Sequence, residues 1–302
     1  MLDIVMRAGS FIAIIVLGYV LKKIGVFKQE DFGVLSKVAI RITLPCAIIL
    51  SFSGKEIDPA LLSLPLIAIA CGAVYVALGY LLNRSRGREQ TAFAMVNLAG
   101  YNIGNFTIPF AQSFLGPMAV IAISIFDTGN AMVCLGGAFS MACMVKDGSR
   151  FSLVRVVRAL MKSVPFVVYI IMLLMSLLHI ATPKFVLSVA EIGSSANAFA
   201  AMLMIGVGFK LEAKREQLMT IARIVATRYS AAIVFALIFY FVLPFALEIR
   251  QALVILAFAP IGAAVPGFVG EMKGDVGLSS AINSICMVIS IVIIVLLLLV
   301  ML

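Results

Sequence analysis

The stretch Leu98-Ala-Gly-Tyr-Asn-Ile-Gly-Asn-Phe-Thr-Ile-Pro109 sets Gly100, Asn102, Gly104, Asn105 and Pro109 inside an otherwise apolar run. A second stretch, Ala259-Pro-Ile-Gly-Ala-Ala-Val-Pro-Gly267, does the same with Pro260, Gly262 and Pro266. Proline removes a backbone donor and clashes with the preceding turn, and glycine loosens the chain, so each stretch is expected to interrupt a helix. What surrounds them makes the interruption costly. Of 302 residues, 63% are hydrophobic and 12% charged, and the mean hydropathy is +1.18, whereas about a quarter of the residues of a soluble domain carry charge. This composition excludes a soluble enzyme. Unwound peptide cannot face lipid, where nothing satisfies its N–H and C=O groups; it has to lie in protein or line a wet cavity.

Apolar runs between polar clusters fall at about 4–21, 35–53, 60–82, 91–115, 117–143, 163–180, 186–209, 219–247, 252–270 and 277–301, each near the ~20 residues that a crossing helix needs. The expected fold is therefore all-α and integral to the membrane, with ten transmembrane helices. The first run ends at Lys22 and Lys23 without a small-residue cleavage site and reads as a retained helix. The longest polar connection, Lys146 to Lys162, divides the chain into halves at 1–145 and 163–302. Because each half has five crossings, an odd number, two like halves must enter the membrane in opposite senses, the inverted-repeat plan of many secondary transporters. The connection sets Arg155, Arg158 and Lys162 at helical spacing, as an interfacial helix on an anionic leaflet would.

Orientation follows from the basic residues. The odd-numbered loops hold seventeen: Lys22, Lys23, Lys28, Arg84, Arg86, Arg88, Lys146, Arg150, Arg155, Arg158, Lys162, Lys210, Lys214, Arg215, Arg223, Arg228 and Lys273. The even loops and the N-terminal tail hold four, namely Arg7, Lys55, Lys184 and Arg250. This asymmetry puts the odd loops in the cytoplasm and both termini outside. The net charge of +9 has the same origin and calls for no nucleic acid. The five cysteines, Cys46, Cys71, Cys134, Cys143 and Cys286, lie in apolar runs without CxxC spacing, so neither a disulfide framework nor a metal site is expected.

Depth arithmetic pairs the two interruptions. At 1.5 Å per residue, Asn102 to Pro109 lies roughly 17–27 Å beyond Thr91, and Pro260 to Pro266 roughly 12–21 Å beyond Ala252, so both bracket the bilayer middle. The spans that follow carry Asp127 and Asn130 in one half and Asn283 in the other. Asp127 stands roughly 15 Å inside its span, where an ionisable group is a functional candidate able to hold a proton or a sodium ion. Its structural alternative is a buried acid bonded to Asn130 or to another helix. Arg41 reads as a snorkelling cation, Glu191 as interfacial, Asn197 as packing glue and His179 as a surface residue. No deep Ser–His pair, second deep aspartate or HExxH is present, so an intramembrane enzyme is not expected. With no Walker A segment, neither are nucleotide coupling or a cofactor.

Three regions together resemble the auxin efflux carrier family, the membrane transporters that include plant PIN proteins and bacterial malonate- or malate-type permeases. They are Leu17-Gly-Tyr-Val-Leu-Lys-Lys-Ile-Gly-Val26 with Leu35-Ser-Lys37 and Leu44-Pro-Cys-Ala-Ile-Ile-Leu-Ser-Phe52, the Asn102 to Pro109 break, and Ala259-Pro260 through Val265-Pro-Gly-Phe-Val-Gly-Glu-Met-Lys273. The resemblance implies that the fourth and ninth spans cross at their breaks. It also implies that spans one, two, six and seven form a scaffold beside a mobile unit of spans three to five and eight to ten, and that the chain is a homodimer. The second break departs from the pattern in lacking any amide or hydroxyl side chain, and the long hydrophilic loop of the plant proteins is missing.

The expected function is secondary transport of a small organic anion, a dicarboxylate or an auxin-like acid, across the cell inner membrane by an elevator-type, ion-coupled or gradient-driven cycle. A passive anion channel and a ligand-binding membrane sensor are the alternatives. The expected substrate-binding residues are Asn102, Gly104, Asn105, Thr107, Pro109, Pro260, Gly262, Pro266, Asn130 and Asn283, with Asp127 for the coupling H+ or Na+.

Overall fold

The computed structural model describes residues 2–210 and 214–301, so the end residues Met1 and Leu302 of the two expected halves lie outside the described residues. Every regular element among the described residues is helical. Seven single helices are long and apolar enough to cross a membrane: α1 (Leu2–Lys23), α2 (Asp31–Phe52), α3 (Pro59–Arg86), α6 (Pro117–Asp147), α9 (Lys184–Gly208), α10 (Arg215–Phe241) and α13 (Val276–Met301). An eighth candidate is the pair α7 (Leu153–Lys162) and α8 (Val164–Leu177), bent by 79°. The expected fourth and ninth spans are each two short helices: α4 (Arg88–Leu98) with α5 (residues 103–114), and α11 (Leu247–Ala257) with α12 (Val265–Glu271). Length and composition thus identify seven or eight spans where ten were expected, and the shortfall falls on the segments the prolines and glycines interrupt.

Local chemistry sets several of the irregularities. In α2 a π-turn at Ala39–Thr43 closes with the Leu44 N–H donating to the Ala39 carbonyl, one residue before Pro45, which has no N–H to give. The start of α5 repeats the device: Ile108 N–H donates to Ile103 across the π-turn Ile103–Thr107, and Pro109 follows. The bend between α7 and α8 sits at Ser163, whose extended backbone ends one helix while its hydroxyl accepts from the Phe166 N–H to cap the next. Two expected boundaries move. The fifth span runs to Asp147 rather than 143, with a kink at Gly136, and the eighth ends at Phe241 because residues 242–246 turn before α11.

Packing divides into two groups. α1 lies along the Asn197–Gly208 part of α9, which also packs on the start of α2, while the first part of α9 and α8 both pack on the end of α2. Elsewhere α3 packs on α4 and α6, α4 on α6, and α11 on both α10 and α6. The α1–α9 crossing is made close by glycine. A Cβ on Gly206 would overlap the Ile15 carbonyl, and one on Gly18 the Leu203 carbonyl. Such small-residue contacts let backbones approach where lipid tails offer no hydrophobic driving force. The two groups meet where α2 and α8 touch α6 and where α9 touches α5, which is where both interruptions lie.

Candidate functional site

The first interruption opens at Leu98. Ala99 is extended, Gly100 has φ +78°, and α5 does not begin until Ile103, with Asn102 as its cap residue. Gly100 suits this turn on two counts: its positive φ, and the Cys134 side chain about where a Cβ would stand. The second interruption runs from Phe258 to Ala264, between α11 and α12. The two touch directly, for the Asn102 N–H donates to the Pro260 carbonyl at 2.9 Å.

A buried arginine holds the crossing. Arg228 of α10 is 1% exposed; its Nη1 donates to the Leu98 carbonyl at 2.7 Å, and its Nη2 to the carbonyls of Gly100, Ala259 and Pro260 at 3.0, 2.8 and 3.1 Å. The guanidinium also lies over the rings of Tyr75 and Tyr101, 5.1 and 5.3 Å from their centroids. The C-terminal ends of α4 and α11, with their unmatched carbonyls and negative partial charge, therefore converge on one cation. This corrects the count of loop cations: Arg228 is buried roughly 15 Å along the Leu218–Phe241 helix, whereas Arg223 stands near its start, so sixteen basic residues remain in or beside the odd loops.

Asn130 and Asp127 form a second clasp. The Asn130 side chain grips the Tyr101 peptide at both ends, accepting from its N–H at 2.9 Å and donating to its carbonyl at 3.1 Å. The same Nδ2 donates to Asp127 Oδ1 at 2.8 Å, and the Tyr169 hydroxyl on α8 donates to Oδ2 at 3.0 Å. Both carboxylate oxygens are thus engaged, one from within α6 and one from the neighbouring packing group.

Between these clasps lies a cavity of about 140 Å³, walled by Asn102, Gly104, Asn105, Asp127, Asn130 and Gly262 among others, with Tyr169, Phe166 and Ser163 on the facing side. Pockets for drug-sized ligands measure roughly 300–1,000 Å³, so this space suits a smaller ligand. Asp127 is its only charged wall among the described residues. The side-chain Nδ2 of Asn102 and Oδ1 of Asn105 are buried without a hydrogen-bond partner among the described residues. Such orphaned groups are rare in native proteins and mark places where a ligand or water completes the bonding.

Six of the eleven expected residues are therefore cavity walls. The other five are placed differently. Thr107 reaches back to the Asn102 carbonyl through its N–H and hydroxyl, at 3.3 and 3.4 Å, and so caps the break. Pro260 contributes its carbonyl to the crossing, Pro109 follows the π-turn that opens α5, and Pro266 sits in the first turn of α12. Asn283 is buried in α13 and is not a wall. Asn197 bonds Thr43 and Gln112 across helices, as packing glue would. Sequence reasoning missed Arg228 and Tyr169. Arg228 lies within the expected span 219–247, roughly 14 Å past its start, so the depth test that picked out Asp127 applies to it equally.

Residues 4–149 match the profile of a family described as membrane transport protein. The matched part contains the first interruption together with Asp127 and Asn130. An uncharacterized transporter of Methanothermobacter thermautotrophicus is 27% identical over 128 residues, 41% of this chain and 42% of the relative, so the match spans less than half the length of that protein. With the apolar helices, these matches make the chain a multi-pass membrane protein related to transporters.

Proposed function

We propose that this chain is a secondary carrier of a small organic anion, which rests in the cavity where the two interruptions cross and passes the membrane by alternating access. The observation that carries the reading is the pair of orphaned amide atoms, Asn102 Nδ2 and Asn105 Oδ1, on the wall of a cavity that both stretches of unwound peptide border. In this reading the fourth and ninth spans count as broken crossings, which brings the total to ten in two inverted sets of five. α1, α2, α8 and α9 serve as scaffold, and α3–α6 with α10–α13 as the mobile unit of an elevator. The Asp127–Tyr169 bond spans the boundary between the two, so an Asp127 that gains or loses H+ or Na+ also alters a contact across the sliding surface.

The walls narrow the ligand. Asn102 Nδ2 asks for an acceptor and Asn105 Oδ1 for a donor, and among the described residues no basic side chain faces the cavity. A carboxylate supplies the acceptor but no donor, so the pattern fits a dicarboxylate carrying one proton, or a monocarboxylate that also bears a hydroxyl. A full dianion would bring a second charge with nothing to pair it, a costly arrangement at this depth. The basic loops orient both termini to the outside of the cell inner membrane, and the family resemblance favours a homodimer.

Exchange of labelled for unlabelled organic acid in proteoliposomes tests the reading. Saturable counterflow of a hydroxyl-bearing monocarboxylate or a half-protonated dicarboxylate is expected, with Asn102→Ala and Asn105→Ala each lowering it at least about tenfold, the equivalent of ~1.4 kcal/mol, in protein that remains monodisperse. Undiminished exchange in both variants removes these residues from the site. Linear, unsaturable flux favours a channel, and binding without flux favours a sensor.

A further inference from the structure

We infer that α7 and α12 together form a binding site for the phosphate headgroup of an anionic membrane phospholipid, and that this phosphate competes with Glu271 for Arg155. The inference uses only the embedding of the chain in a membrane and is independent of what the cavity carries.

At 100° per residue the faces of α7 fall into three sectors. Val156 and Leu160 are buried against the protein. Leu153, Val154, Val157 and Met161 make up the adjoining sector and are 50% to 67% exposed. Arg155, Arg158 and Lys162 fill the third. A helix that turns 79° from the one after it and leaves four large aliphatic side chains uncovered beside three cations has the form of an interfacial helix, its apolar sector among acyl chains and its basic sector at headgroup level. The exposed aliphatic sector points to a lipid rather than to a soluble phosphate.

The basic sector borders a groove of about 390 Å³ whose far wall is Phe268 and Glu271 of α12. Three cations face one carboxylate there. Glu271 lies 3.5 Å from Arg155, both side chains being half-exposed, while neither Arg158 nor Lys162 has an ion-pair or hydrogen-bond partner among the described residues. A phosphate diester offers the anionic oxygens that this surplus of donors lacks, and Arg presents a fork matched to them. Arg155 is also stacked 4.6 Å from the Phe139 ring, which packs on Phe268. Occupancy of the groove would therefore be felt in α12, the half-helix that follows the second interruption.

Native mass spectrometry of delipidated protein tests the site, with dioleoylphosphatidylglycerol, dioleoylphosphatidylcholine and inorganic phosphate as probes. Phosphatidylglycerol should bind wild type at least tenfold more tightly than the double variant Arg158→Gln/Lys162→Gln. The charge-preserving pair Arg158→Lys/Lys162→Arg should retain binding, and Glu271→Gln should strengthen it by freeing Arg155. Equal phosphatidylglycerol binding by wild type and the Gln pair overturns the site, as does loss of binding in the charge-preserving pair. Phosphatidylcholine binding as tight as phosphatidylglycerol binding removes the headgroup selectivity. Stabilisation of the fold by millimolar inorganic phosphate alone, to the same extent as by the lipid, reassigns the site to a soluble phosphoanion. No transported substrate enters this assay, so its failure leaves the carrier reading untouched, and a failed counterflow experiment leaves this one standing.

Discussion

A fully buried guanidinium in a membrane protein needs partners for its donors, and Arg228 finds them in the carbonyls that two helix interruptions leave over. The pairing satisfies both sides at once. Neither the arginine nor the frayed helix ends would be tolerable alone at that depth. Arg228→Met keeps the bulk but strands the carbonyls of Leu98, Gly100, Ala259 and Pro260, and Arg228→Lys replaces the planar fork with a compact charge that cannot reach both helix ends in the same geometry. The Met variant is expected to lose about 3–5 kcal/mol, as when one partner of a buried charge interaction is removed, and the Lys variant part of that. Thermal melting of the purified protein reads the order wild type, Lys, Met, and an unchanged midpoint in the Met variant would mean that the crossing does not depend on the arginine. The sequence declares an ionisable residue at mid-depth for Asp127 and Arg228 alike. The arginine escapes notice because a tally of loop cations sweeps it in with its neighbours Arg215 and Arg223. Tyr169 gives no comparable signal: one tyrosine among apolar residues becomes informative only when its hydroxyl is seen 3.0 Å from Asp127.

Among the elements, proline chemistry is the legible part. Pro45 and Pro109 each follow a π-turn, Pro260 lies inside the second interruption and Pro266 just after it, because a residue without an N–H cannot carry the ladder on from the turn before it. The kink at Gly136 is less so, since glycines are common in membrane helices that run straight. The close approach of α1 to α9 depends on Gly18 and Gly206, 188 positions apart in sequence yet joined by backbone contact. Gly206→Leu sets a side chain against the Ile15 carbonyl and is expected to cost about 1–3 kcal/mol or more as overpacking. Gly9→Leu, at a glycine with open space around it, is the matched control. Comparison of the two melting midpoints checks this, and equal midpoints would show that the α1–α9 contact can yield without cost.

For the whole molecule, charge asymmetry outlives the correction at Arg228. Sixteen basic residues in or beside the odd loops, against four in the even loops and the N-terminal tail, still predict a chain with both termini outside. Cysteine substitution at Arg86 and at Lys184, both exposed, puts one label on each side. A membrane-impermeant maleimide applied to intact cells should modify Lys184→Cys and leave Arg86→Cys untouched until the cells are opened. Labelling of both from the same side would overturn the alternation of loops and with it the inverted halves. By itself the order of residues determined that the chain dwells in a bilayer and where its helices would give way, because hydropathy and missing backbone donors are local properties that each segment carries with it. Only the tertiary structure decided that the two gaps meet, that Arg228 fills them and that Tyr169 faces Asp127 across a packing boundary. A freed carbonyl accepts from whatever donor stands within about 3 Å, and which donor stands there is a matter of how distant helices pack.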